Sequence, residues 1–177
     1  MLAKNKKFFS DPFKVAISSV SFIAFLFISF GLNGWGTPAG NEQAIGEVSR
    51  WCERVSDGFF REPSNTLGNL GFVVTGLYMF YKLSKDATSS KGIVMFSSSS
   101  LALLYASAST FLGPGSMAMH GTHTKFGAWL DNVSMVTYIL ILWIYNLKRL
   151  SNFTQKTFYY IYLSILIYFA IAYWNFG

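Results

Sequence analysis

VAISSVSFIAFLFISFGLNGW, residues 15–35, is a run of 21 residues without a charge, and its reading decides the fold. A helix of about 20 mostly apolar residues crosses the hydrocarbon layer of a bilayer. The run is too long for the apolar core of a signal peptide and carries no A-x-A cleavage pattern, so it reads as a retained anchor. Four further stretches have the same character: residues 63–81, 92–112, 126–147 and 157–177. The stretch 92–112 is rich in serine, including Ser97 to Ser100, and 126–147 is interrupted by Asp131. The chain therefore reads as all-α, a multi-pass transmembrane helical bundle of five spans forming a single membrane domain over residues 1–177. The long connection, 36–62, holds five of the eight acidic residues: Glu42, Glu47, Glu53, Asp57 and Glu62. Irregular backbone is not viable against lipid, so this acidic loop lies outside the hydrocarbon layer.

Composition agrees. Apolar residues make up 52% of the chain and charged residues 12%, about half the charged share of soluble domains. The 18 Phe, 10 Tyr and 5 Trp suit lipid contact and the headgroup boundary. The net charge of +6 forms no stripe or patch, because the basic residues sit in ones and twos at the ends of apolar runs. That distribution argues against a nucleic-acid partner. Cys52 stands alone, which rules out an internal disulfide and a four-cysteine zinc site.

Lysine and arginine also orient the spans. Lys4, Lys6, Lys7, Lys14, Lys82, Lys85, Lys91, Lys148, Arg149 and Lys156 fall on one side, ten in all, against Arg50, Arg54, Arg61 and Lys125 on the other. The positive-inside bias puts the N-terminus in the cytoplasm and the acidic loop on the opposite face.

Three features converge on that outer face. Gly115-Ser116-Met117-Ala118-Met119-His120 follows the third span, and a helix resuming after Pro114 would put Ser116 and His120 on one side. Asp131 comes eleven residues later, early in the fourth span. An acid inside a membrane segment is costly unless it faces a polar interior, which makes it a site candidate. Trp51-Cys52-Glu53 and Glu62-Pro63-Ser64-Asn65-Thr66 precede the second span. Each piece has a plainer reading as a helix cap or a solvated loop residue, so the case rests on their shared level.

Taken together, Trp51-Cys52-Glu53, Glu62-x-x-Asn65-Thr66-x-x-Asn69, Gly115-Ser116-x-x-x-His120 and Asp131 resemble the alkaline ceramidases. These belong to a group of membrane hydrolases that includes the progestin and adiponectin receptors. The resemblance implies a seven-helix core, of which the second to fifth spans match the first four helices, plus an extra N-terminal helix. It implies zinc, with His120 as the first ligand and two more from a later His-x-x-x-His. Asp131 would deprotonate the zinc-bound water, and Ser116 would steady the oxyanion. It also implies calcium, held by the Trp51 carbonyl, Glu53 and Glu62. The substrate would be ceramide or a related lipid amide, drawn from the bilayer.

The chain departs from that pattern in several places. Arg50, Val55 and Gly68 stand where the family has Asp, Asn and Ser, and the two histidines, His120 and His123, do not form His-x-x-x-His. This reads as the front part of a longer protein or a degenerate relative, inactive as 177 residues alone. A non-catalytic, receptor-like lipid-binding bundle is the alternative. An intramembrane serine protease built on Gly113-Pro114-Gly115-Ser116 lacks a base histidine on a later helix. The orientation is checked by labelling Cys52 in intact cells with a membrane-impermeant thiol reagent. Labelling without permeabilisation is expected, and labelling confined to permeabilised cells reverses the topology.

Overall fold

The computed structural model describes residues 11–176 apart from 37, 39, 41 and 87–98. Helix α1, Pro12–Leu32, begins where Asp11 accepts the Phe13 N–H at 3.1 Å and Pro12 occupies the first turn, a cap and a φ already suited to helix. The short α2, Pro63–Gly68, runs into α3, Leu70–Asp86, and three long helices follow: α4, Ser99–Thr122, α5, Lys125–Ser151, and α6, Gln155–Phe176. The β-structure among the described residues is one bridge between Val48 and Arg54. The fold is all-α.

Of the five expected spans, three helices among the described residues are long and apolar enough to cross a membrane: α1, α5 and α6. The other two differ for physical reasons. The stretch 63–81 is not one rod but breaks at Asn69, and its second part, α3, has 17 residues with Lys82, Lys85 and Asp86 near its end. The stretch 92–112 lies partly outside the described residues, and α4 continues through Pro114 to Thr122. Gly115 to His120 therefore sits inside a helix rather than beyond one. Serine, threonine, glycine and histidine dilute the apolarity of α4. They are tolerated because α4 is the most enclosed long helix, with Leu101, Ala106, Ala108 and Ser109 at most 2% exposed, so its polar groups meet protein instead of lipid.

Consecutive helices α3 to α6 pack as neighbours, with α4 against both α3 and α5. An apolar core of Leu101, Tyr105, Ile141, Ile144, Phe158 and Tyr162 fills one end of the bundle. Small residues bring α4 and α5 together at the other end. A Cβ on Gly115 would run into Ser134, and one on Gly127 would strike the Ala118 carbonyl. Helix α1 packs against α3, anchored where Ser84 Oγ donates to Asp11 Oδ1 at 2.8 Å. It stands off α4, and apolar crevices open between them around Ile23, Phe27 and Pro114.

The close approach of α4 and α5 is testable. Gly115→Val should destabilise the protein by about 1–3 kcal/mol, the usual range for overpacking. Gly71→Ala, where an added Cβ meets open space, should be neutral or stabilising by up to ~1 kcal/mol. Thermal unfolding in detergent distinguishes the two.

Candidate functional site

The polar end of the bundle is built around a two-residue turn. His123 and Thr124 reverse the chain between α4 and α5. His123 takes a left-handed conformation, φ 54°, which side chains other than glycine adopt at a cost of order 1 kcal/mol. Thr124 caps α5 by accepting the Gly127 N–H at 3.0 Å. Ser116, His120 and Asp131 all come to this end, at 9%, 9% and 8% exposure.

The acidic loop closes over it. Arg61 N–H donates to Gly121 O at 3.0 Å and Glu62 N–H donates to His120 O at 2.9 Å, which satisfies carbonyls that a helix C-terminus leaves open. The Glu62 side chain then turns inward and is fully buried. Its Oε2 lies 2.6 Å from His120 Nδ1 and accepts from Asn65 Nδ2 at 2.9 Å. Its Oε1 lies 3.1 Å from His123 Nε2 but off the hydrogen-bond direction, which leaves both atoms buried and unpartnered. Glu42 extends the chain of charges, with one oxygen 3.7 Å from His123 Nδ1 and the other 3.7 Å from Arg50. The Trp51 ring stands edge-on to both histidines, at centroid distances of 5.1 and 6.1 Å.

With Nδ1 held by Glu62, His120 keeps Nε2 as the nitrogen without a hydrogen-bond partner among the described residues. Ser116 and His120 lie close enough to the Asp131 carboxylate to act on it electrostatically. Asp131 Oδ1 is buried without a partner, and Asp131 lines a cavity of ≈ 390 Å³ shared with Trp51, Trp129, Asn132, Tyr173 and Trp174. The family model described as Ceramidase matches residues 48–176, from the middle of the loop to the last residue of α6. The chain belongs to the ceramidase family. No curated protein and no solved structure gives a match. Helix α1 precedes the ceramidase match.

The metals that the ceramidase resemblance implies were tested against these side chains. The three expected calcium donors gather around Asn65 and are taken up by its N–H groups and those of its neighbour. Glu53 accepts the Ser64 and Asn65 N–H groups at 2.8 Å each, the Trp51 carbonyl accepts from Asn65 Nδ2 at 3.4 Å, and Glu62 Oε2 accepts from the same Nδ2 at 2.9 Å. A catalytic zinc takes three protein ligands, and among the described residues no group of three His, Cys, Asp or Glu is arranged to hold a metal. Each Glu62 oxygen faces a different imidazole, at His120 Nδ1 and His123 Nε2, which leaves His120 Nε2 as a single available nitrogen. Among the described residues neither metal finds a complete ligand set.

The sequence reading expected Glu62 in a calcium set, named His123 as the second histidine without a partner, and gave Glu42 no role at the site. A second histidine three residues after His120, in a chain with two, was the available signal. Burial pushes the Glu62 carboxyl up, but the hydrogen bonds of Ser49, Asn65 and His120 outweigh it and hold it below its ordinary value of 4.5. Its contribution to stability is therefore complete above pH 4.5 and drains away as pH falls through the lower folded value, because the unfolded chain protonates first. Denaturant unfolding from pH 6 down to pH 3 should show this loss in the wild type, and Glu62→Gln should flatten that slope.

Proposed function

We propose that Ser116, His120 and Asp131 form the chemical part of a ceramidase-type site that cleaves the amide bond of ceramide or a related lipid amide. The observation that carries this reading is the buried Asp131, with one carboxylate oxygen unpartnered and a cavity of headgroup size beside it. Amide hydrolysis needs an acceptor for the proton of the attacking water and a donor for the carbonyl oxygen as charge develops on it. Asp131 is the acceptor. Ser116, beside that carboxylate, supplies its O–H for the carbonyl oxygen. His120 presents Nε2, oriented by Glu62 behind it. A catalytic zinc requires more ligands than His120 supplies, so no step is routed through metal. The N-terminus is cytoplasmic and this site faces the opposite side, in accord with the distribution of lysine and arginine.

A non-catalytic lipid-binding protein is the second reading, favoured by the missing three-ligand group among the described residues. Hydrolysis of a fluorescent ceramide by native membranes, with variants introduced in place, separates the two. Asp131→Asn should lower turnover about 10²–10⁴-fold through loss of the proton acceptor, and Ser116→Ala about 10²–10³-fold through loss of one donor. Absent turnover in the wild type, or turnover equal in wild type and Asp131→Asn, assigns the chain to the non-catalytic reading.

A further inference from the structure

The cavity beside Asp131 has walls that the proposed chemistry does not use. Trp51, Trp129 and Trp174 give it flat apolar surface. Two polar side chains interrupt that surface: Asn132, next to Asp131 on α5, and Tyr173, in the last turn of α6. Asn132 Nδ2 donates to Ala128 O at 2.9 Å and to the Tyr173 hydroxyl oxygen at 3.0 Å. Both amide protons are thereby used, and the tyrosine is the acceptor in the pair. The Tyr173 hydroxyl proton is left without an acceptor and Asn132 Oδ1 without a donor among the described residues.

A spare donor and a spare acceptor, fixed to each other by a hydrogen bond, match the needs of one hydroxyl group. Its oxygen accepts from Tyr173 and its proton goes to Asn132 Oδ1. Formal charge around the cavity favours a neutral guest. Arg50 and Lys125 line it together with Glu42 and Asp131, two cations against two acids. Both cations also have protein company: Arg50 lies near Glu42 and over the Trp51 ring at 5.3 Å, and Lys125 lies over Trp174 at 5.5 Å. The volume of ≈ 390 Å³ suits a headgroup rather than a whole lipid.

We propose that Asn132 and Tyr173 form a headgroup subsite that reads a hydroxyl on a neutral lipid amide and so sets the amide against Asp131. The subsite rests on the reading of Ser116, His120 and Asp131 as a lipid-amide site. A purely structural role for the pair, tying α6 to α5 beside the bond from Trp129 Nε1 to Ala170 O at 2.8 Å, makes a different prediction. A lost tether weakens every ligand alike, whereas a lost reader weakens the hydroxylated one alone.

The test is binding to the full chain in lipid nanodiscs, read by quenching of tryptophan fluorescence. The two probes are a nitrobenzoxadiazole-labelled short-chain ceramide and the same molecule with its hydroxyls replaced by hydrogen. Wild type should prefer the hydroxylated probe by roughly tenfold or more, and Tyr173→Phe should remove about fivefold of that preference, the worth of one hydrogen bond. Asn132→Leu should abolish the preference, and neither substitution should change affinity for the deoxy probe. Full preference retained in Tyr173→Phe, or equal weakening of both probes, overturns the subsite. A wild type that binds both probes equally overturns the subsite alone. A wild type that binds neither removes the lipid-amide reading beneath it.

Discussion

Glu62 holds the polar end of this protein together through two bonds to one residue. Its backbone N–H caps the His120 carbonyl, and its carboxylate grips the ring of the same histidine. The first bond fixes where the loop lands on α4, and the second fixes how the imidazole is turned. A carboxylate this deeply buried costs several kcal/mol to desolvate, and the surrounding donors from Asn65 and His120 offset that cost. Because Pro63 follows at once and opens α2, the same residue sets the start of the helical core. Loop, short helix and α4 are registered against one another at a single point.

The reading of the chain from its residues succeeded where a local rule governs structure. Long apolar runs announced helices, and the four-residue spacing of Ser116 and His120 matched one helical face. It failed where distant parts meet. Pro114 looked like the end of a span, since proline removes an N–H and crowds the preceding turn, yet α4 passes through it with neighbouring helices packed around the break. The partnership of Glu62 with His120 spans 58 residues and runs through an irregular loop that has no periodicity. Glu53 was expected at calcium through the family resemblance alone. Its carboxylate accepts the backbone N–H groups at the start of α2, and no side-chain pattern marks those.

The arrangement of acids and imidazoles also separates two kinds of polar cluster. A metal centre needs lone pairs aimed at one point. Here the charged and polar groups face one another in a line, hydrogen-bonded between Glu62 and His120 and in looser ion-pair contact through His123 and Glu42 to Arg50. Such a line rigidifies a turn that would otherwise be strained at His123. It also leaves Asp131 outside the line, beside Ser116 and open to the cavity. Structural and chemical duties thus fall on different carboxylates at the same end of the bundle.

Helix α1 lies before the ceramidase match and touches the rest of the molecule unevenly. It is pinned at its start by Asp11, Ser84 and Phe13, and near its end by Phe27, Trp35 and Phe59. Between these pins the facing surfaces of α1 and α4 are apolar and do not close. In a bilayer, fatty tails are the material at hand to fill such gaps. The surrounding lipid then acts as mortar between one helix and its neighbours, and the tightness of that joint becomes a property of the membrane as much as of the chain.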